Sequence, residues 1–463
     1  MKNLMINLIS IFQISVFLIS LYYLIISFFG LYKKANHRLY KPEKSFALLV
    51  AAHNEEAVIG KIIESLKEID YPKYLYDIYI IADNCTDNTA SIAGKLNVNV
   101  FERINKEKNG KGFALEWMFE KIFNMEKKYD AFAIFDADNL VSKNFLIEMN
   151  NKMMEGYKVV QGYLDSKNPH DSWITESYSI SFWTANRVFQ LARNNIGLSN
   201  QIGGTGFIVD TEVLKQIGWG VTCLTEDLEF TCKLVLNGYR VGWAHEAVVY
   251  DEKPLTLKQS WNQRKRWMQG FTDVSSRYFL PLMKNAFVKF DFISFDCALY
   301  TIQPFITLLL GISILLTLIQ KNTPQGVNIF AIDNLISGYV WMGFSIFQFL
   351  FTPFIMILEI KLNKLVFVFL SLYSLNIVIS RLIYGSYITL LQAVTENVIY
   401  LSFLILLILI VAGKKSALLF IRYILYGVYT LTWIPITIQG IINKNNKEWS
   451  HTKHTRQIGI DEV

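Results

Sequence analysis

The stretch of sequence that decides the fold spans residues 45 to 69 and reads SFALLVAAHNEEAVIGKIIESLKEI. Its first part, Phe46 to Ala52, is a continuous apolar run that ends in polar residues, which is typical of a buried strand followed by a loop. Its second part repeats apolar residues at the spacing of one helix face. A strand, a loop and a helix in this order predict one unit of an α/β fold.

Two more strand-and-loop units follow the first. DIYIIA at residues 77–82 leads into DNCTDNTA, and AFAIF at residues 131–135 leads into DADN. This alternation predicts an α/β fold with a doubly wound, largely parallel sheet. In such sheets the ligand crevice lies at the carboxyl ends of the strands, so we expect Asp83, Asp136 and Asp138 to gather around one crevice.

The acidic and glycine-rich segments at this crevice suggest a site for a diphosphate and a divalent cation. Asp136 and Asp138 are separated by one residue, and such a pair can share Mg²⁺ or Mn²⁺ with a diphosphate. In NGKGFAL, residues 109–115, the glycines leave backbone exposed near Lys111, a cation suited to a phosphate. An Asp-rich turn that satisfies its own backbone is the alternative interpretation. The sequence contains no GxGxxG fingerprint and no GxxxxGK[ST] motif, which argues against NAD binding and P-loop ATP hydrolysis.

A third acidic motif, TED at Thr225, Glu226 and Asp227, precedes a predicted helix of roughly twelve residues. Ordinary helix-start chemistry, with Thr225 as the capping residue, is the alternative to a catalytic role. The four cysteines (Cys85, Cys223, Cys232 and Cys297) form no CxxC pair and have no histidines at zinc spacing. We interpret them as ordinary reduced residues.

The segment QSWNQRKRWMQG, residues 259–270, predicts an amphipathic helix with two different faces. Gln263, Arg266 and Trp267 fall at positions i, i+3 and i+4, so they share one face. Roughly opposite them lie Leu257, Trp261 and Met268. We expect Trp261 to anchor the helix against lipid or protein. A basic helix that lies on a membrane surface is the alternative for the whole segment.

Composition divides the chain of 463 residues, 52% of them hydrophobic, into a charged middle block and two apolar flanks. Leu4 to Phe29 is long enough to span a bilayer, and the cations after it, Lys33, Lys34, His37 and Arg38, predict a cytoplasmic middle block. A signal peptide is disfavoured because the run is too long and no small-residue cleavage site follows. The net charge of +6 is mild, so it suggests no nucleic-acid partner but suits contact with a lipid bilayer.

The C-terminal flank contains four further candidate spans: Ala298 to Ile319, Ile336 to Leu358, Tyr387 to Ala412 and Leu418 to Ile442. Leu365 to Ile379 is either an interfacial helix, which makes five spans and a cytoplasmic tail, or a sixth span. We favour five spans, although Lys414 and Lys415 then lie outside. Arg381 and Glu396 lie at or within apolar stretches, where they face a polar cavity or snorkel to the interface.

The ordered motifs DN (83–84), DAD (136–138), TED (225–227) and QxxRW (263–267) resemble those of the membrane-embedded, processive family 2 glycosyltransferases. This family includes cellulose, hyaluronan and poly-N-acetylglucosamine synthases, and the resemblance covers Phe46 to Gly270. It implies a GT-A nucleotide-sugar-binding domain inserted between transmembrane helices. The expected organisation is an N-terminal transmembrane helix (1–32), a cytoplasmic GT-A domain (40–255), interfacial amphipathic helices (256–292), a transmembrane region (293–443) and a cytoplasmic tail (444–463).

The resemblance also implies roles on the donor side. Asp83 matches the carboxylate that reads uracil in a UDP-sugar, and Lys111 is similar to the basic residue beside its diphosphate. Asp136 and Asp138 match the metal-binding DxD motif, with Asp138 the firmer ligand of Mg²⁺ or Mn²⁺. Arg266 matches the arginine that holds the diphosphate.

On the acceptor side, Asp227 is similar to the general base, and Thr225 and Glu226 complete its motif. Gln263 and Trp267 match the acceptor-binding part of QxxRW. The glycine-rich segment GGTGF, residues 203–207 with Gly204 and Thr205, resembles the acceptor loop, for which a plain turn is the alternative. The aromatic residues of segment 173–189 either stack on sugars or pack in the core. The tail segment WSHTKHTR, residues 449–456, resembles the W-x-T-R tail of hyaluronan synthases only with different spacing, so no role is assigned to it.

The resemblance implies an inverting hexosyltransferase in the plasma membrane that polymerises a UDP-sugar onto a growing polysaccharide and exports the chain. UDP-glucose giving a β-glucan, with 1,4 or mixed 1,3/1,4 linkages, is the leading expectation. Poly-N-acetylglucosamine synthesis, a hyaluronan-type polymer and transfer of one sugar to a polyprenyl phosphate are the alternatives within enzymes. A transporter with a nucleotide-sensing domain is disfavoured because no internal repeat is visible.

Overall fold

The computed structural model describes residues 2–33, 39–220, 222–322, 337–384, 390–445 and 454–463. Several residues used in the predictions therefore lie outside the described part. They are Lys34, His37 and Arg38, the first residues of the spans predicted from Ile336 and Tyr387, and residues 449–453 of the tail segment. The side chain of Arg381 is likewise not described.

Eight strands of the described chain form one sheet. They are β1 (Phe46–Ala52), β2 (Tyr76–Asp83), β3 (Asn99–Arg103), β4 (Ala131–Asp136), β5 (Leu140–Val141), β6 (Val159–Ser166), β7 (Phe207–Asp210) and β8 (Val241–Asp251). Their order across the sheet is β3-β2-β1-β4-β7-β6-β8-β5. Strands β1 to β4 pair in parallel, as the repeated strand-loop-helix units predict.

Four of the seven pairings among the described strands are parallel, including β6 with β8, so the sheet is largely parallel as predicted, but its second half also contains antiparallel pairs. Strand β7 pairs antiparallel to both β4 and β6, and β5 pairs antiparallel to β8. The cause is the direction from which β7 enters: Phe207 pairs with Ile134 near the carboxyl end of β4, and β7 then runs back to Ala131. The glycine loop before Phe207 therefore lies at the edge where the parallel strands end. The sheet is mixed and matches the GT-A type of fold.

The described helices alternate with these strands and then form the C-terminal bundle. Their bounds are α1 (Lys2–Phe28), α2 (Ile59–Lys67), α3 (Thr89–Lys95), α4 (Lys111–Phe123), α5 (Phe145–Met154), α6 (Trp173–Ala185), α7 (Ala192–Asn195), α8 (Thr211–Ile217), α9 (Glu226–Leu236), α10 (Leu257–Lys289), α11 (Phe292–Thr301), α12 (Gln303–Asn322), α13 (Gly338–Leu358), α14 (Lys364–Ser374), α15 (Asn376–Tyr384), α16 (Leu390–Leu431) and α17 (Trp433–Ile442). A π-helical turn at Asn186–Leu191 joins α6 to α7.

Both faces of the sheet are covered, so β1 is buried on both sides. Leu48 and Val50 pack in one apolar cluster with α2 and α5, whereas Ala47 and Leu49 pack in a second cluster with α4. All four side chains are inaccessible to solvent. Burial on two faces explains why this strand is a continuous apolar run rather than an alternating one.

Three described helical segments are long and apolar enough to cross a membrane: Asn7–Leu31, Gly338–Leu358 and Leu391–Ile442. A fourth is possible if α11 and the first part of α12 count together, although they bend by 64° between them. The straight span predicted from Ala298 to Ile319 is therefore broken, because Pro304 removes a backbone donor in the first turn of α12.

Helix α10 is one continuous helix of 33 residues, where several interfacial helices were predicted. The side chain of Thr256 caps its first turn and accepts a hydrogen bond from the Gln259 N–H at 3.3 Å. The helix packs against α9 on one side and against α11 and α17 on others. It therefore connects the start of α9 to the C-terminal bundle.

Buried and partly buried ion pairs attach the sheet domain to the helices of the bundle. The pairs are Arg187 with Glu359 (2.7 Å), Arg193 with Asp296 (2.8 Å), Lys361 with Asp165 (2.6 Å) and Arg422 with Glu176 (3.0 Å). Removing one partner of a buried pair leaves an uncompensated charge, which costs about 3–5 kcal/mol. These ion pairs hold the sheet domain against the helical bundle.

Candidate active site

One cavity of about 2150 Å³ opens at the carboxyl edge of the sheet and continues between α1, α12 and α13. Its lining brings together every side chain that the sequence analysis assigned to the site: Asp83, Lys111, Asp136, Asp138, Gly204, Thr205, Thr225, Glu226, Asp227, Gln263, Arg266 and Trp267. These residues come from segments almost two hundred residues apart. They converge because each one follows or precedes an element that ends at this edge.

Asp83, the last residue of β2, is held by a partner that the sequence analysis missed. Its carboxylate forms a buried ion pair with Arg103 at the end of the neighbouring strand β3, and it accepts a hydrogen bond from Asn84 Nδ2 at 3.0 Å. Arg103 also donates to the Lys108 carbonyl at 2.7 Å. The ordered carboxylate faces the cavity, as a group that recognises a base edge must.

The first aspartate of the DAD motif is paired with the predicted diphosphate-binding lysine. The Lys111 ammonium contacts the Asp136 carboxylate and donates to the Gly204 carbonyl at 2.7 Å. Lys111 is also the first residue of α4, so the positive end of that helix points to the same place. This corner of the cavity combines two features that favour a phosphate.

Asp138 is buried deeper than Asp136. Its carboxylate accepts the Glu252 backbone N–H at 2.9 Å and Asn139 Nδ2 at 3.2 Å. Burial disfavours the charged form, but His454, Lys167 and the Glu252 N–H outweigh it and hold the pKa of Asp138 below its usual value. Asp138 is therefore ionised at neutral pH.

The donor set fits a divalent cation that is bound partly by substrate. Asp136 and Asp138 supply carboxylate oxygens, the ligand type that Mg²⁺ and Mn²⁺ prefer. Among the described residues, no three His, Cys, Asp or Glu side chains lie close enough to hold an ion by themselves. A cation here would need the oxygens of a bound diphosphate to complete its shell.

Asp227 lies in the middle of the cavity, at the start of α9. Burial and the neighbouring Glu226 raise its pKa to about 7, against the opposing effects of the Leu228 N–H, Lys111 and Arg266. Its Oδ1 accepts that N–H at 2.8 Å. A carboxylate with a pKa near neutrality is suited to accept a proton during a reaction.

Gly204, in the glycine-rich loop of residues 203–207, lies beside Asp227. Its backbone adopts a φ of +82°, and a Cβ at this position would lie 3.4 Å from Asp227 Oδ2. The positive φ favours glycine here, whereas the distance to Asp227 is an ordinary van der Waals contact. The neighbouring Thr205 donates to Asn139 Oδ1 at 2.5 Å and accepts the Asp136 N–H at 3.0 Å, which ties the loop to the DAD motif.

Thr225 occupies the N-cap position of α9, but the helix-start interpretation of its side chain is wrong. No hydrogen bond from its side chain caps the helix. The side chain instead packs against Gly270 of α10, where any Cβ would collide with it. Thr225 therefore fixes the distance between the TED motif and the QxxRW helix.

The three QxxRW side chains all face the cavity, as their helical spacing predicts. Arg266 donates to the Leu224 carbonyl at 3.3 Å, just before the TED motif. Gln263 Oε1 accepts the Tyr178 hydroxyl at 2.8 Å, and Trp267 meets the Tyr178 ring edge to face at 6.0 Å. Tyr178, in the aromatic segment of α6, is thus buried behind Gln263 and Trp267 and holds both side chains in place.

The opposite face of α10 contacts protein. Trp261 Nε1 donates to Gln439 Oε1 of α17 at 2.8 Å. Met268 packs so closely against Gly440 of α17 that a side chain there would collide with it. The basic stretch is therefore not only a membrane-surface helix, because one face lines the cavity and another packs on the bundle.

Four cavity residues near Asp138 were not predicted: Glu55, Asp251, Glu252 and His454. Burial, Asp138 and Asp136 raise the pKa of Asp251 to about 6, although Lys253 opposes the shift. Burial opposes the charged form of His454, but Asp138 and Glu55 raise its pKa to about 9. The only sequence signal for His454 was the tail segment to which no role was assigned.

These features together are those of the GT-A type of fold: a mixed sheet with carboxylates at its carboxyl edge, a paired lysine and a glycine loop beside an acidic helix start. The solved structure of a mannosyltransferase from Pyrobaculum calidifontis, in complex with GDP-Man and Mn²⁺, has this fold. It superposes with a TM-score of 0.52 at 15% identity and covers 84% of this chain and all of that one.

The family description "Glycosyltransferase like family 2" matches residues 42–270. This segment of the chain is therefore a family 2 glycosyltransferase domain.

Two curated relatives illustrate the range of the family. A β-monoglucosyldiacylglycerol synthase from Synechocystis sp. is 30% identical over 246 residues, which cover 50% of this chain and 48% of that protein. A poly-β-1,6-N-acetyl-D-glucosamine synthase from Staphylococcus aureus is 27% identical over 273 residues, 58% of this chain and 64% of that protein. The chain thus spans about half the length of the first of these relatives and under two thirds of the second.

Proposed function

We propose that this protein is an inverting, processive glycosyltransferase of the plasma membrane that polymerises glucose from UDP-glucose into a β-glucan with 1,4 or mixed 1,3/1,4 linkages. The catalytic domain faces the cytoplasm, and the chain leaves through the bundle. The observation that carries the proposal is the single cavity that joins Asp83, Asp138 and Asp227 to the space between α1, α12 and α13. It offers one path from donor to membrane.

Asp227 acts as the general base. The acceptor hydroxyl oxygen attacks the anomeric carbon, the bond from that carbon to the diphosphate breaks, and its electron pair stays on the diphosphate. The hydroxyl proton passes to the Asp227 carboxylate. A single displacement with one base inverts the anomeric centre, so an α-linked donor gives a β-linkage.

The leaving diphosphate gains negative charge as its bond breaks. Lys111, Arg266 and the amino end of α4 stabilise that charge on one side. A divalent cation held by Asp138 and Asp136 would act as a Lewis acid on the diphosphate. Asp83, held by Arg103, fixes the uracil, while Gln263 and Trp267 position the acceptor sugar.

The membrane half of the cavity suits an uncharged sugar chain. The wall formed by α1, α12 and α13 combines aromatic rings with amides and hydroxyls, among them Phe17, Trp341, Phe344, Gln13, Ser313 and Gln348. Aromatic rings stack on the faces of sugars, and side-chain amides form hydrogen bonds with sugar hydroxyl groups. Among the described residues of these three helices that line the cavity, only Tyr23 is ionisable. A hyaluronan-type chain would instead bring carboxylates into this space, where charges are costly.

Transfer of one sugar to a lipid is the second candidate, and a specific observation favours it. The cavity continues between the apolar helices α1, α12 and α13, so an acyl or polyprenyl chain could occupy the same space. Two of the relatives are named as β-monoglucosyldiacylglycerol synthases. This candidate shares the donor site and the base with the first.

Incubation of the purified protein with labelled UDP-glucose or UDP-N-acetylglucosamine separates the candidates. The proposal predicts a long product from UDP-glucose that a β-glucanase degrades, with linkages read by methylation analysis. A solvent-extractable monoglycosyl lipid would favour the second candidate. No transfer from any UDP-sugar would contradict both.

A further inference from the structure

A loop of four residues, 222–225, forms part of the cavity wall directly before the helix that carries the proposed base. All four residues line the cavity. The Leu224 carbonyl accepts a hydrogen bond from the Arg266 guanidinium at 3.3 Å, and the Thr225 side chain packs against Gly270 of α10. The position of the 222–225 loop therefore affects both the arginine proposed to hold the diphosphate and the start of α9.

One buried carboxylate, that of Glu229 in the first turn of α9, binds the beginning of this loop. The Thr222 hydroxyl donates to its two oxygens at 2.8 and 2.9 Å. Only 2% of the Glu229 side chain is exposed, and Glu229 is not among the residues that line the cavity. It can therefore act on the site only through the residues that it holds.

Two side chains of α10 bind the same carboxylate. Arg277 donates to Glu229 Oε1 at 2.8 Å and to Thr222 Oγ1 at 2.9 Å. The Tyr278 hydroxyl donates to the same Oε1 at 3.1 Å, and Asp273 binds the guanidinium from one turn earlier at 2.8 Å. Helix α9, helix α10 and the 222–225 loop thus meet at one carboxylate.

Glu229 is an anion at neutral pH. Burial disfavours the charged form, but hydrogen bonds from Arg277 and Thr222 and the nearby charge of Lys233 lower the pKa of Glu229 to about 2. Its contact with Arg277 is therefore a charge-assisted hydrogen bond, which is roughly twice as strong as a bond between neutral groups.

We propose that Glu229, with Arg277, is a positioning residue: the pair holds the 222–225 loop against α10, so that Arg266 and Asp227 keep the spacing that sugar transfer needs. The inference rests on the proposed function, because transfer is the step that depends on this spacing. Loss of either partner releases the loop. A displacement of about 1 Å in the reacting groups can reduce a rate by about 10²-fold.

The kinetic test uses Glu229→Gln and Arg277→Gln of the full-length protein in lipid nanodiscs. The kcat for transfer, counted per UDP-binding site, should fall by at least about tenfold. The KM for the UDP-sugar should stay within about threefold, because Asp83 and Lys111 on the donor side are untouched. A residue that only stabilises the fold would lower the number of UDP-binding sites and leave the kcat of each one unchanged.

Two further variants serve as comparisons. Arg277→Lys keeps the positive charge and should retain more of the kcat than Arg277→Gln. Glu212→Gln is the matched control, because it removes a carboxylate from an exposed pair with Lys215 in α8, and it should behave as wild type.

Alkylation of Cys223 with iodoacetamide, in the absence of donor, measures whether the loop is held. Burial and the charge of Glu229 raise the pKa of this thiol to about 12, so it should react slowly in the wild type. Arg277→Gln removes a positive charge near the thiol, which alone would slow the reaction further, whereas release of the loop should speed it several-fold. Peptide mass spectrometry separates Cys223 from Cys85, whose rate should not change, and from the buried Cys232, which stays unmodified while the protein is folded.

The outcomes separate this inference from the proposed function. Faster alkylation of Cys223 together with a lower kcat supports the inference. If Arg277→Gln leaves alkylation unchanged or slower, or speeds it without lowering the kcat per UDP-binding site, the inference is wrong while the proposed function stands. If the wild type transfers no sugar from any UDP-sugar, the proposed function fails and the role of the pair in transfer fails with it. Modification of Cys232 would reveal an unfolded variant, and Arg277→Lys then decides between these outcomes.

Discussion

At the scale of single residues, the proposed mechanism depends on Asp227 as the general base. Asp227→Asn keeps the shape of the side chain but cannot accept a proton, so sugar transfer should fall by about 10²- to 10⁴-fold. UDP binding should persist, because Asp83 and Lys111 are untouched. Rates of UDP release with labelled donor, next to UDP affinity, measure both quantities.

Asp70→Asn is the matched control for that substitution. Asp70 is exposed, follows the end of α2 and does not line the cavity, so this variant should behave as wild type. Normal transfer by Asp227→Asn would remove the general base from the mechanism.

The pKa of Asp227, raised to about 7, predicts how the rate depends on pH. The base must be deprotonated, so the rate of the chemical step should fall about tenfold per unit below pH 7 and level off above it. The same shift makes the folded protein hold this proton at a higher pH than the unfolded chain, so stability from this group is lost as pH rises from about 4 to 7. Single-turnover rates between pH 5.5 and 8.5 measure the profile, and a flat profile would contradict it.

Most site residues could be predicted from sequence because each motif begins where a strand or helix meets one edge of the sheet. Asp83 and Asp136 illustrate this, since each ends a strand. Arg103 and Glu252 could not be predicted in this way. Arg103 is aligned with Asp83 only by the pairing of β2 with β3, and Glu252 acts on Asp138 through its backbone.

At the scale of elements, the contact between α9 and α10 sets the geometry of the base. Gly270→Ala places a methyl group on the Thr225 side chain and must push the two helices apart. Overpacking of this kind costs about 1–3 kcal/mol, and the displacement of Asp227 should reduce transfer more than UDP binding. Thermal inactivation and transfer rates measure the two effects.

Gly94→Ala is the comparison for the Gly270 substitution. Gly94 lies in helix α3 with no atom within 4 Å of its added Cβ, so alanine should be neutral or slightly stabilising there. If the two variants had the same thermal inactivation and the same transfer rate, the contact between Gly270 and Thr225 would not determine the position of Asp227.

The two tryptophans of α10 are predicted to differ. Trp261→Phe loses one hydrogen bond to Gln439, worth about 1 kcal/mol, and should alter activity little. Trp267→Ala opens the acceptor wall beside Tyr178 and should reduce transfer by more than about tenfold, which corresponds to roughly 1.4 kcal/mol. Initial rates at saturating UDP-sugar compare them, and the reverse order would contradict the assignment of the two faces.

Helices and strands could be predicted where the apolar residues follow one clear period. Features that depend on the direction of a strand or on the backbone at a single residue could not. β1 and α2 follow from their apolar patterns. The reversal of β7 does not, since it depends on where the glycine loop enters the sheet. The break before Pro304 and the kink at Gly413, which has a φ of 78°, are backbone effects within apolar runs that look continuous.

At the scale of the whole molecule, contact between residues 454–456 and Glu252 of the catalytic domain constrains the topology. Both must lie on one side of the bilayer, so the chain between α10 and residue 454 must cross an even number of times. The segment Leu391–Ile442 has 52 residues, far more than the roughly 20 that one crossing needs, and Gly413 divides it. Four crossings in this region and one by α1 would make the five expected from sequence.

A reporter fused after Val463 tests this topology. It should be active in the cytoplasm, on the same side as a reporter inserted in the catalytic domain. A control fusion ending at Gly413 should report the opposite side. An external signal after Val463 would contradict both the five-span topology and the contact of residues 454–456 with the catalytic domain.

The central claim, that polymer formed at Asp227 passes through the cavity between α1, α12 and α13, is tested most directly in sealed proteoliposomes whose catalytic domains face outward. Labelled UDP-glucose is added outside, followed by a β-glucanase with or without detergent. The proposal predicts a labelled polymer that resists the enzyme until detergent opens the vesicles, and no such polymer from Asp227→Asn. Label that is fully digested without detergent, or found only as a single sugar on lipid, would contradict it.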